Sequence, residues 1–373
     1  MEKTLVDYFI GLVKIDSESK NELATAKKLE ADLIALGAEV KYDTANEKTG
    51  GNVGNLYAYF PGKIEKEPIM FCSHMDTVKP GNGIKPQILE DRIVTDGTTI
   101  LGSDDKSGIA EALWAVKEIK ETGEDHAPVE LLFTISEEIG LLGAKFLDYS
   151  MPKAKIAYAL DSHSIGELVV GAPSQYSLEY TIHGKESHAG VAPEAGVNAI
   201  KIAAEAIAAL PIGRIDFETT TNIGIISGGA ATNIVPNKVV IEGEIRSHNK
   251  EKMEALVKQF NETFQKTVEK YTLGDFQATV EINAEKEYDA FRLSEDNPLI
   301  ALSQKACEKI GIEHKTVVGG GGSDANVFNA NGINAVIVGS GMNKVHTVDE
   351  FILLKDLEDG KNWVKEVIRA HSS

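Results

Sequence analysis

Three short runs constrain this chain more than anything else in it. "PIMFCS" at 68–73, "VELLFTIS" at 129–136 and "KIAYALD" at 155–161 are nearly continuous in apolar character. Strands of that kind have no wet face and are covered on both sides, as in the interior of a parallel sheet. Between the first two lies "SGIAEALWAVKEIKETG" (107–123), with helical periodicity and a glycine stop. Strand and helix alternate, so the pattern predicts a layered α/β sheet with helices on both faces.

From about Ser174 the order changes. "SLEYTIHG", "NIGIISGG", "VVIEGEIRS" and "QATVEIN" read as strands, and "GVNAIKIAAEAIAAL" and "KEKMEALVKQFNETFQKTVEKY" as helices. Their order is βαββαβ, a ferredoxin-like α+β unit. Beyond about Glu285 the α/β pattern resumes with the helix "NPLIALSQKACEKIG", the glycine run "VVGGGGSDANVF", the strand "NAVIVGS" and a last helix from Leu354. A chain of 373 residues exceeds one hydrophobic core. Two domains are expected: a discontinuous one over 1–173 and 285–373, and an insert over 174–284.

Charge excludes some partners. With 38 basic and 57 acidic residues the chain carries −19, which repels nucleic-acid phosphates and anionic membranes alike. No apolar segment reaches the roughly 18 residues that a membrane span needs. The N-terminal stretch places Leu5, Phe9, Leu12 and Val13 at helical spacing and lacks the apolar region of a signal peptide. Two cysteines, Cys72 and Cys307, fit a reducing cytosol, so the protein is expected to be cytoplasmic, with Cys72 a core residue.

The chemistry gathers where apolar runs end. "FCSHMDT" offers His74 as a metal ligand, with Asp76 able to hold its ring. "LGSDDKSG" puts Asp104 and Asp105 ahead of a helix starting near Ser107, where the helix dipole suits carboxylates. "ISEEIG" brings Glu137 and Glu138 side by side, and alternation along a strand would turn them to opposite faces. "YALDSH" adds Asp161, and "NKVHTVDEF" adds His346. Each motif alone has an ordinary explanation as a turn, a cap or a surface residue. Together, five elements deliver His, Asp, Glu, Asp and His to the ligand-binding edge of one sheet. Carboxylates crowded in this way need cations, and two histidines with three carboxylates suit a pair of zinc ions. One carboxylate would bridge ions about 3.5–4 Å apart, and one glutamate would bind metal while its neighbour takes a proton from water.

These motifs, with "ESHAGVAPEAGVNAI" and "GGSDANVF", resemble in residue and order the dinuclear zinc peptidase family that includes peptidase T, carboxypeptidase G, the aminoacylases and succinyl-diaminopimelate desuccinylase. The resemblance spans essentially the whole chain, and "DGTTILGSDDKSGIAE" looks most like peptidase T and the tripeptidases. It implies a metal-dependent aminopeptidase acting on short peptides. His74, Asp104, Glu138, Asp161 and His346 would be the ligands, Asp104 the bridge, Glu137 the general base and Asp76 the partner orienting His74. The resemblance also makes Asp104–Asp105 a candidate cis peptide. In the insert it implies His188 as an oxyanion stabiliser supplied by a partner subunit, Arg246 and Asn233 as substrate-binding residues, and a homodimer formed through that insert.

Three residues depart from the peptidase T pattern. Gly320 stands where an arginine is expected, and Val348 and Asp349 replace a basic pair after His346. These changes bear on the substrate and leave the chemistry intact. The alternative activities are hydrolysis of N-acyl amino acids or dipeptides by the same site, and, more remotely, a non-catalytic metal-binding scaffold.

Overall fold

The structure is a computed structural model that describes residues 3–373. The amphipathic N-terminal stretch forms α1 (Leu5–Val13), capped by Thr4, whose hydroxyl accepts the Asp7 N–H. There follow α2 (Leu23–Ala35), β1 (Glu39–Tyr42), β2 (Leu56–Phe60) and β3 (Ile69–His74). Next come α3 (Ser103–Thr122), β4 (Val129–Thr134), β5 (Ile156–Ser162) and β6 (Glu167–Val169). The inserted region contains β7 (Ser174–His183), α4 (Ala199–Ala208), β8 (Gly213–Asp216), β9 (Thr219–Gly228), β10 (Lys238–Ser247), α5 (Lys250–Val268) and β11 (Thr279–Tyr288). The chain then returns through α6 (Pro298–Ile310), β12 (Lys315–Val317), α7 (Asp324–Ala330), β13 (Asn334–Gly339) and α8 (Leu354–Ser372).

Two compact units result: Met1–Gly171 with Arg292–Gly319 and Ser323–Ser373, and Ala172–Phe291 with Gly320–Gly322. The first holds an eight-stranded mixed sheet in the order β1-β2-β4-β3-β5-β13-β6-β12. Its four central strands are parallel, with Phe71 level with Leu131 on one side and Tyr158 on the other. Every residue of β3 and β4 is buried, because both faces are covered. On one face α3 lies so close that a Cβ on Gly108 would come within 2.6 Å of Ser73 Oγ and of the Leu160 carbonyl. On the other, α7 brings Asp324 to the sulfur of Cys72. Tyr158 stacks on Phe71 and meets the edge of Trp363 from α8.

The second unit is a five-stranded antiparallel sheet ordered β8-β9-β10-β7-β11. Without β8 this is the ferredoxin-like arrangement. Leu178, Tyr180, Ile182, Val239 and Ile241 alternate into a core shared with Ile202 on α4 and Phe260 and Phe264 on α5. Strand β8 was not legible in the sequence; four residues with mostly exposed side chains carry no apolar signal.

The boundaries differ from 173/174 and 284/285. Strand β11 runs on to Tyr288, and the second unit ends at Phe291. Gly320–Gly322 also cluster with it, since Gly322 lies against the Tyr288 ring, 2.4 Å from where a Cβ would stand. Among the described residues no helix is long and apolar enough to cross a membrane. Cys72 and Cys307 are buried free thiols.

Candidate metal centre

The site is built in the first unit, from the ends of β3, β4 and β5 and two loops. Strand β3 ends on His74, level with Thr134 at the end of β4. His74 Nδ1 lies 3.0 Å from the Asp76 carbonyl and 3.4 Å from its carboxylate, which leaves Nε2 to face the site as a candidate ligand atom. Asp76 has a second task. Its carboxylate accepts the backbone N–H groups of Glu137 and Glu138 at 2.9 and 3.3 Å and the Ser19 hydroxyl at 2.7 Å.

The two glutamates therefore do not follow strand alternation. Strand β4 stops at Thr134, and Ser136 adopts a positive φ of 53°, so the chain turns before it reaches them. Glu22 holds this turn from beneath by accepting the Ser136 N–H at 3.0 Å. Both glutamates are carried into the site by the turn.

Helix α3 is regular only after Asp105: Asp104 and Asp105 have non-helical torsions and the bond between them is cis. The turn before it is gripped by Glu350. Leu101 N–H, Gly102 N–H, the Ser103 hydroxyl and Asp104 N–H all donate to that carboxylate, at 2.7, 2.9, 2.6 and 3.1 Å.

Asp104 is the centre of the arrangement. Its Oδ1 is 2.9 Å from His74 Nε2, and its Oδ2 is 3.2 Å from His346 Nε2. Asp161 Oδ1 lies 3.9 Å from His74 Nε2, and Glu138 Oε2 lies 3.1 Å from His346 Nε2. His74, Asp104 and Glu138 present ligand atoms within 4.8 Å of one another. His346 sits at a positive φ of 62°, a region in which histidine is enriched among non-glycine residues and one often stabilised at functional sites.

The electrostatics follow from burial. Burial alone would raise the Asp104 carboxyl, but hydrogen bonds from His346 and His74 hold it well below the usual range. Burial pushes Glu137 and Asp161 well above theirs, and neighbouring carboxylates add to the effect. Glu138 is also raised by burial, against the pull of His346. Hydrogen bonds to Asp104 and Glu138 lift His346 to about 10. Among the described residues, Glu138 Oε1 is buried with no hydrogen-bond partner. An orphaned carboxylate oxygen, two outward Nε2 atoms and several crowded acids form a donor set that fits divalent cations.

His188, Asn233 and Arg246 belong to the second unit. His188 forms a bridge with Ile234, and the Ala189 N–H donates to the Asn233 carbonyl at 2.9 Å. Arg246, on β10, is held by the Glu244 carboxylate through Nε and Nη2, each at 3.0 Å. The sequence reading assigned no site role to Asp324 or Glu350. Asp324 is buried, accepts the Thr134 hydroxyl at 2.5 Å and is pushed up to about 6 by burial. Its sequence signal was the run "GGSDANVF", in which Ser323 caps α7.

Residues 70–370 match the peptidase family M20/M25/M40. YqjE, an uncharacterized protein of Bacillus subtilis strain 168, is 42% identical over 368 residues, covering 98% of either chain. The crystal structure of aminopeptidase PepT from Bacillus cereus ATCC 10987 superposes with a TM-score of 0.88 at 43% identity, covering 99% of this chain and 98% of that one. A tripeptidase from Staphylococcus aureus subsp. aureus Mu50 superposes with a TM-score of 0.92 at 38% identity, again over 99% and 98%.

Proposed function

Because the chain belongs to peptidase family M20/M25/M40, we propose that it is a PepT-like aminopeptidase using two divalent ions, zinc by ligand type, to cleave short peptides, with tripeptides the first substrates to test. The observation that carries this is the placement of Asp104. Each of its oxygens faces a different imidazole, which is how a carboxylate shared by two cations must stand. His74 and Asp161 would hold one ion with Asp104 Oδ1, and His346 and Glu138 the other with Oδ2.

Bound divalent ions make water acidic enough to attack at neutral pH and polarise the scissile carbonyl. The protein's own residues do the rest. Glu137 is buried beside ligand Glu138 on the turn held by Asp76; it accepts the water proton and returns it to the leaving amine. In the second unit, Arg246, oriented by Glu244 through Nε and Nη2, would bind a substrate carboxylate through its remaining N–H groups, and Asn233 would supply a hydrogen bond. His188 of a partner subunit would donate to the developing oxyanion.

A homodimer through the second unit is part of this reading. Strand β8 pairs only with Thr219–Thr221, leaving the rest of β9 an open edge, and Ile225 and Ile226 are more than half exposed there. A cytoplasmic location agrees with the two free cysteines.

The test is Glu137→Gln. It should keep its metal and lose turnover by about 10²–10⁴-fold; unchanged turnover would refute the role. A second reading, hydrolysis of N-acyl amino acids, is favoured by Gly320, where no side chain occupies the surrounding space. Rates on di- and tripeptides beside N-acetyl and N-succinyl amino acids separate the two readings.

A further inference from the structure

Glu350 is a second acid in the His346 loop, and the site as described leaves it without a role. Lys344 and residues 346–349 are exposed, and Glu350 is where that loop first becomes buried, at 1% exposure. Its carboxylate takes four donors, two on each oxygen, all from residues 101–104. A carboxylate has about four lone-pair sites, so this one is saturated. None of the donors is a cation; three are backbone N–H groups of the turn that delivers Asp104.

We infer that Glu350 is a positioning residue of the metal centre: it pins the loop carrying His346 to the turn carrying Asp104, and so fixes where Asp104 Oδ2 and His346 Nε2 meet. This rests on the dinuclear reading above. Two irregular segments must be fixed against each other. His346 stands on an exposed loop, and residues 101–104 form an irregular turn ahead of α3. The His346 loop is closed by the pairing of Met342 and Asn343 with Ile352 and Phe351. Among the described residues no strand pairing ties it to residues 101–104, yet the side chains of Asp104 and His346 approach to 3.2 Å. Only a group with four acceptor sites can hold all four donors at once. A glutamine would turn its amide N–H₂ toward two of them and leave those donors unpaired. Asp76 plays the same part for the opposite loop, where it accepts the N–H groups of Glu137 and Glu138.

The experiment measures zinc affinity by competition with a chromophoric chelator, and the visible spectrum of the cobalt-substituted protein, for wild type, Glu350→Gln, Ser103→Ala and Glu308→Gln. Glu350→Gln should weaken zinc binding about 10–100-fold and change the cobalt spectrum while the metal-free far-UV circular dichroism stays that of wild type. Ser103→Ala removes one donor of the four and should weaken binding about fivefold. Glu308→Gln, exposed on α6, should leave affinity unchanged. Zinc affinity and cobalt spectrum equal to wild type in Glu350→Gln overturn the inference. Should that variant fail to fold, Ser103→Ala decides, and unchanged affinity there also overturns it. If wild type itself takes up no divalent ion, the dinuclear reading falls and this inference with it, whereas normal wild-type binding with an indifferent Glu350 removes the inference alone.

Discussion

Glu111 gives a prediction that needs no metal. It lies on α3, is fully buried, and neither of its carboxylate oxygens has a hydrogen-bond partner among the described residues. Helix α8 passes over it at Gly360, where a Cβ would stand 2.2 Å from Glu111 Cδ. Burial first, then the charges of Asp105, Asp356 and Asp359, push its carboxyl well above the ordinary value of 4.5. The folded state therefore binds this proton more tightly than the unfolded chain does. The sign follows from linkage: above the ordinary value the unfolded chain releases the proton first, so stability falls as pH rises, until the folded pKa is passed.

Glu111→Met keeps length and flexibility and removes both unpartnered oxygens. An unsatisfied buried polar group costs about 1–3 kcal/mol, and in a domain of this size 1 kcal/mol moves Tm by about 2–4 °C. The variant should melt roughly 2–12 °C above wild type, with the larger gap at higher pH. Glu111→Gln, which cannot ionise but keeps an unpaired dipole, should gain less, and its advantage too should widen as pH rises. Thermal melts of the three proteins at pH 5.5 and pH 8.5 check this. A Glu111→Met protein less stable than wild type at both pH values, or a gap that does not widen with pH, would refute the reasoning, because the carboxyl would then have a partner in solution.

Two further outcomes are expected. Stripping divalent ions with a chelator should lower Tm, since the ions bind only the folded site; at a hundredfold excess over Kd they contribute about 2.7 kcal/mol, and no change in Tm would argue against a structural share for them. Sedimentation should give a dimer mass, and Ile226→Lys on the open part of β9 should shift it to monomer; a wild-type monomer at micromolar concentration would remove the paired-subunit role of His188.

The fold was legible where burial is symmetric. Strands β3, β4 and β5 announce themselves because both faces are covered and nearly every residue is apolar. The pieces that escaped are short edge or bridging strands such as β6, β8 and β12, three or four residues each, too brief for a period to show. Among the site residues, those beside strand ends were visible as breaks in apolar runs. Glu350 was not, since nothing local distinguishes a carboxylate that receives four donors from far away in sequence from one that is solvated. Glu111 escaped for a related reason: α3 is buried on every side from Ser103 to Val116, so its polar positions are not a solvent face. The motif "GGSDANVF" also concealed a division, because its glycines pack with the inserted unit while Ser323 caps a helix of the other, which Asp324 begins.

The acids of this centre divide by what neutralises them. Asp76 and Glu350 accept backbone N–H groups from the loops they hold, and Asp105 accepts the N–H groups of His74 and Gly108 at 3.2 and 3.3 Å. Fixed peptide dipoles satisfy these three, and they need no ion. Asp104 and Glu138 instead face imidazole Nε2 atoms, as does Asp161 more distantly, and Glu138 keeps one buried oxygen with nothing to bind it. A count of carboxylates along the sheet edge cannot tell the two groups apart, since the sequence shows the acids but not the donors aimed at them. Only the second group bears on how many cations the site would take. Two imidazoles on opposite oxygens of Asp104 divide that group into two sets, as the proposed dinuclear reading would need.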